Sequence, residues 1–115
     1  MKFKSVFFLL ALLLSGCGNG EPLGNPVCGS SANPTSGQNQ LTVQFTENAQ
    51  GSIIQYIWDF GDLSTPSQEE NPLHTYSLVN SNIPQQFDAV LTVVGFNGSQ
   101  ITCDAITITV NAATS

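Results

Sequence analysis

Trp58-Asp59-Phe60-Gly61-Asp62, followed by Asn71-Pro72-Leu73-His74-Thr75-Tyr76, is the stretch on which the fold of this chain is decided. Leading into it, Ile54, Tyr56, Trp58 and Phe60 share one parity, while Ile53 and Ile57 occupy the other. A strand apolar on both parities is covered on both faces, which predicts a central place in a sheet or a tight sandwich. Gly61 between two aspartates ends that strand in a turn, where carboxylates accept backbone N–H bonds. Polar and breaker residues run from Asp62 to Pro72, and a short strand resumes over Leu73 to Val79.

Working outward, Leu41, Val43 and Phe45 alternate with Thr42, Gln44 and Thr46, and Phe87, Ala89, Leu91 and Val93 alternate with Asp88, Val90, Thr92 and Val94. This period of two marks strands with one buried face. Gly51 is expected to hold a positive φ in a turn over Asn48 to Ser52. Asn97-Gly98 predicts a hairpin turn. Beyond it the inward parity switches, from Ile101 and Cys103 to Ile106, Ile108 and Val110, which places a bulge near Asp104. Upstream, Val27 to Gln40 offers only Val27, Cys28 and Ala32 for burial, so an irregular edge strand around Cys28 and a loop through Pro34 to Gly37 are expected. A further loop spans Asn80 to Gln86. With no helical period after the first residues and about six or seven short strands, the prediction is all-β, an antiparallel β-sandwich.

The first sixteen residues read differently. Lys2 and Lys4 precede an apolar run from Val6 to Leu14, too short to cross a bilayer as a permanent helix, and small residues Ser15-Gly16 precede Cys17. Leu14-Ser15-Gly16-Cys17 resembles the lipobox of bacterial lipoproteins, which implies a signal peptide over 1–16 and acylation of Cys17 as the new first residue. In that family Gly18 after the cysteine implies sorting to the outer membrane, displayed to the periplasm or to the surface. More than one acyl chain gives stable anchoring. Residues 17–26 then form the acylated cysteine and a tether, too poor in apolar residues to pack. The folded module is expected over 27–111, with a tail over 112–115.

Removing residues 1–16 takes both lysines and leaves eight carboxylates with no Lys or Arg. Such a surface cannot neutralise phosphates, so nucleic acid is excluded as a partner, and anionic lipid surfaces are equally unsuitable. Setting aside acylated Cys17 leaves Cys28 and Cys103, an even pair in an oxidising compartment, for which a disulfide is expected.

In order along the chain, Leu41 to Phe45, Trp58 to Asp62, Asn71 to Tyr76 and Phe87 to Val93 resemble the PKD domain family, an immunoglobulin-like β-sandwich of bacterial surface and secreted proteins. The resemblance covers roughly residues 28 to 110. It implies structural roles for Trp58, Asp59, Phe60, Gly61, Asp62, His74 and Tyr76. Two features depart from the family pattern. Leu63 stands where the family has Gly, which makes a positive-φ turn there less comfortable. The connection from Ser77 to Gln86 is longer than usual, with Gln86 replacing a Gly, and offers a distinguishing recognition loop.

Each polar candidate carries two readings. Trp58 suits stacking on a sugar or filling the core, and its apolar strand agrees with the core. Asp59 and Asp62 have the composition of an acid/base pair for glycoside hydrolysis, or of turn carboxylates. His74, the only histidine, cannot build a multi-His metal centre and suits a hydrogen bond near Asp62. Asp59, Asp62, Glu69, Glu70 and Asn71 offer hard oxygens for calcium, without an EF-hand spacing, so no cofactor is required. The reading is a non-enzymatic, membrane-anchored envelope module that binds protein or polysaccharide. The alternative is an accessory binding domain acting in trans with a secreted polymer-degrading enzyme.

Overall fold

The computed structural model describes residues 26–80 and 82–113. The signal peptide, Cys17, the tether up to residue 25 and the last two residues of the tail lie outside the described residues. Eight strands follow one another: β1 (Ser30–Asn33), β2 (Ser36–Gln38), β3 (Leu41–Glu47), β4 (Ile53–Asp59), β5 (Leu73–Tyr76), β6 (Gln85–Gly95), β7 (Gln100–Thr102) and β8 (Ile106–Asn111). They form two sheets, one ordered β1-β3-β5 and the other β2-β8-β6-β4, with β7 also paired to β6. This is an all-β, immunoglobulin-like sandwich, and there is no helix among the described residues.

Alternation builds both inner faces. In β3, Leu41, Val43 and Phe45 are buried and Thr42, Gln44 and Thr46 exposed; in β6, Phe87, Ala89, Leu91 and Val93 point inward. Trp58, Phe60, Tyr76, Ile108 and Val110 complete the core. Phe45 lies at its centre, 5.0 Å from Trp58 and 5.3 Å from Phe60 between ring centroids. Burying such a side chain contributes about 1.5–3 kcal/mol, which is what holds the two sheets face to face.

Cys28 and Cys103 form the disulfide, closing a separation of 75 residues. Between β7 and β8, Thr92 pairs with Thr102 but Ala89 with Ile106, so the register against β6 slips by one residue across Cys103 to Ala105. This is the bulge that the parity switch near Asp104 foretold.

Several local expectations are corrected. β4 lies at the edge of its sheet, paired only with β6 and with an isolated bridge from Trp58 to Ser67. A register shift between Ile53 and Gln55 turns Ile54 out to 65% exposure, so apolar residues on both parities reflect a bulge rather than a central strand. Ser36 and Gly37, expected in the loop from Pro34 to Gly37, instead belong with Gln38 to β2, which runs parallel to β8 and is carried by backbone pairing without an apolar side chain. The hairpin at Asn97-Gly98 is a three-residue loop, closed by Gly95 N–H to the Ser99 carbonyl, with Gly98 at φ +87°. β5 ends at Tyr76, short of Val79. Pro26, at the end of the expected tether, is buried against Gly51 and Gly95.

Candidate functional site

The turn after β4 is built by its own carboxylates. Asp59 Oδ1 accepts the Gly61 N–H at 3.0 Å, and Asp62 Oδ1 accepts both the N–H and the hydroxyl of Ser64. Gly61 has φ +79° and its backbone closes directly on the Asp88 carbonyl of β6, leaving no room for a side chain. Leu63 follows with φ 67°, so the positive-φ conformation persists without glycine, and its side chain is fully in solvent. Holding a non-glycine residue there costs about 1–2 kcal/mol.

His74, on β5, meets this turn. Its Nε2 stands 2.8 Å from Asp62 Oδ2, both side chains 17% exposed, and its ring stacks on Phe60 at 3.9 Å and edge-on to Tyr76 at 4.8 Å. Burial opposes the charge on Asp62, but hydrogen bonds from the Ser64 hydroxyl, His74 and the Ser64 N–H, with the attraction of His74, outweigh it and hold the carboxyl below its ordinary value. Tyr76 donates its hydroxyl to the Phe60 carbonyl at 2.8 Å. Burial, with the charges of Asp62 and Asp59, pushes that phenol upward. Trp58 is fully buried and donates from Nε1 to the Glu70 carbonyl at 3.1 Å, so it offers no face for a sugar to stack on.

The calcium ligand set is not assembled. Asp59 and Asp62 serve turn N–H groups, and Glu70 faces Glu47. Glu47 is pushed up from its ordinary value by burial, then by the hydrogen bond and charge of Glu70, against one bond from Ala49 N–H. Among the described residues no three His, Cys, Asp or Glu side chains stand together as a metal site.

Beside the turn lies an open cleft of about 360 Å³. Gly61, Asp62 and Leu63 form one wall, Thr75, Ser77 and Val79 a second, and Gln85, Gln86 and Phe87 of β6 the third. A smaller, largely apolar hollow of about 210 Å³ adjoins it, between Val79, Asn80, Ile83 and Gln85. Leu63 and Val79, which line the cleft, and Ile83, which lines the hollow, are 102%, 95% and 57% exposed. The motif and the long loop were legible as separate stretches; their meeting at a cleft depends on β4 stopping early, which no local pattern announces.

The PKD domain profile matches residues 21–110. Among solved structures, the PKD1 domain of the Vibrio cholerae metalloprotease PrtV is 27% identical, with TM-score 0.57 over 75% of this chain and 96% of that one. A structure concerning the promiscuous specificity of carbohydrate-binding modules of the β-sandwich superfamily is also 27% identical, with TM-score 0.64 over 81% of this chain and 37% of that chain. The PKD1 domain of Vibrio anguillarum Epp, at 22% identity and TM-score 0.58 over 78% and 98%, shares the fold. No curated protein matches the chain.

Proposed function

This chain belongs to the PKD domain family, and from that premise we propose that it is a non-enzymatic binding module, held at the outer membrane by acylated Cys17, whose ligand is a protein or a polysaccharide. The observation that carries the reading is how the turn residues are used. Of the groups acid/base chemistry would need, Asp59 accepts the Gly61 N–H, Asp62 accepts the Ser64 N–H and His74 is bonded to Asp62, and an open cleft lies beside them. A general acid or base has to reach a substrate proton, whereas the two carboxylates hold turn N–H groups and His74 holds Asp62. The structural likeness to a carbohydrate-binding module supports a polysaccharide, and the likeness to a metalloprotease PKD domain supports the second reading, an accessory domain acting in trans with a polymer-degrading enzyme. The lipobox supports anchoring.

Protein and glycan arrays probed with the purified protein test binding; a selective ligand is expected. A hydrolase assay separates the classes, since turnover abolished by Asp62→Asn or His74→Gln would overturn the non-enzymatic reading. A Cys17→Ala variant is expected to leave the membrane fraction, and its retention there would refute the lipid anchor.

A further inference from the structure

The cleft exists because a strand ends early. β4 pairs with β6 only from Asp59 opposite Val90 upward, while β8 pairs with β6 along Gln85 to Ala89 from the other side. The direction of the backbone groups follows from two bonds. The Leu91 carbonyl accepts from Cys103 N–H, and Thr109 N–H is given to Thr35 on the β2 side, so Ile108 faces β6 and meets Phe87. Alternation then turns the N–H and C=O of Gln86 and Asp88 toward the side where β4 would have continued. Among the described residues no strand pairs with that side of Gln85 to Asp88. Gly61 lies against both the amide and the carbonyl of Asp88, so the backbone groups left uncovered on this side are those of Gln86.

We propose that this cleft binds an extended polypeptide segment of another protein, laid beside Gln85–Phe87 as a continuation of β4, with aliphatic residues facing in and basic residues facing out. The inference rests on the binding-module reading above and narrows its ligand to protein. Strand addition takes its affinity from main-chain bonds and its specificity from pockets for alternate side chains. One set of side chains falls toward Phe87 and the apolar rim of Leu63 and Val79, with the hollow at Ile83 next to it. The other set falls on the outer face, where Asp88 and Asp59 are exposed. Asp59 accepts the Gly61 N–H and Asp88 the Thr107 hydroxyl, but no Lys or Arg occurs among the described residues to neutralise either carboxylate, and charge complementarity selects a basic strand.

The test is titration of the purified protein with an acetylated, amidated peptide of alternating Lys and Val, followed by backbone amide NMR. Saturable binding is expected, with the Gln86 amide moving most. N-methylation of the peptide on its bonding edge removes donors and is expected to weaken binding roughly tenfold or more; replacing its Lys by Glu does the same. Gln86→Pro removes the donor that faces the cleft along with the exposed side-chain bond from Gln86 Nε2 to the Thr109 hydroxyl, and a variant with an unchanged melting profile should also lose the peptide. Binding indifferent to N-methylation, binding that moves amides elsewhere, or dimerisation of the protein through this edge would each overturn the inference. So would an oligosaccharide that titrates the cleft when no peptide does, which would leave the binding-module reading standing. If arrays and peptides alike find no ligand, both readings fall together.

Discussion

Replacing Gly61 by Ala tests whether the early end of β4 is set by one backbone contact. Three contributions enter. An alanine at φ +79° carries about 1–2 kcal/mol of strain. A methyl carbon there would lie 3.0 Å from the Asp88 amide nitrogen and nearer still to its carbonyl, and the neighbour is backbone, so relief requires moving β6, at about 1–3 kcal/mol. Against these, Ala restricts the unfolded chain and returns about 0.4–1 kcal/mol. The sum is a loss of about 1–4.5 kcal/mol, a large share of the roughly 5–15 kcal/mol of a small domain. In Tm this is a fall on the order of 5–35 °C. Leu63 supplies the control, because it has the same sign of φ with its side chain in open solvent. Leu63→Gly relieves strain without touching a contact and is expected to be neutral or stabilising by up to about 1.5 kcal/mol. Urea unfolding followed by Trp58 fluorescence, with m compared across the three proteins, measures both. A Gly61→Ala protein within about 0.5 kcal/mol of the parent would refute the argument that the Asp88 contact fixes the turn.

Three further outcomes are expected. Asp62, lowered in the folded state, stabilises above its unfolded value near 3.8, and that contribution disappears as pH falls through the lower folded value; thermal melts of Asp62→Asn should therefore lie below the parent at neutral pH and converge with it in acid. Glu47 behaves oppositely: raised above 4.5, it favours the fold at acidic pH and loses that contribution as pH rises through the folded value, so Glu70→Gln should raise the neutral-pH Tm and give no gain below pH 4.5. Reducing the Cys28–Cys103 bond opens a 75-residue loop and should lower stability by up to about 4.5 kcal/mol in the chain-entropy account, read from melts with and without reductant; thiol titration of the denatured, unreduced folded module should find neither cysteine free.

How far the sequence carried this structure depended on whether a feature was local. The inner faces of β3 and β6 follow directly from alternation at Leu41 to Phe45 and Phe87 to Val93. Even the bulge at Cys103 to Ala105 was visible, because a slip of one residue has to reverse the parity of the apolar side chains that follow. β4 misled for the same reason in reverse: Ile53 and Ile54 are adjacent apolar residues, and a bulge between Ile53 and Gln55 sends Ile54 to solvent, which composition alone cannot tell from double-sided burial. β2 was invisible because Ser36 to Gln38 is held by backbone bonds to a strand seventy residues away in sequence, with no apolar signature of its own. At the candidate site, a hydrogen bond from His74 near Asp62 was expected, and the two side chains meet at 2.8 Å. The cleft was not legible, since it is the space left by pairing that does not occur.

The position of the disulfide has a mechanical meaning. Cys28 and Cys103 lie near the two ends of the folded module, so a chain pulled from both sides passes its load through two sulfur atoms and bypasses β1 to β7. Only what lies outside the ring can pay out: among the described residues, a short lead at 26–27 and the segment 104–113. At about 3.5 Å per residue the C-terminal segment adds on the order of 35 Å, against roughly 260 Å for the 75 residues kept inside. Under tension the domain would behave as a knot of nearly fixed length, with β8 as its one extensible strand, and the edge of β6 that β8 vacates would be the first to change shape.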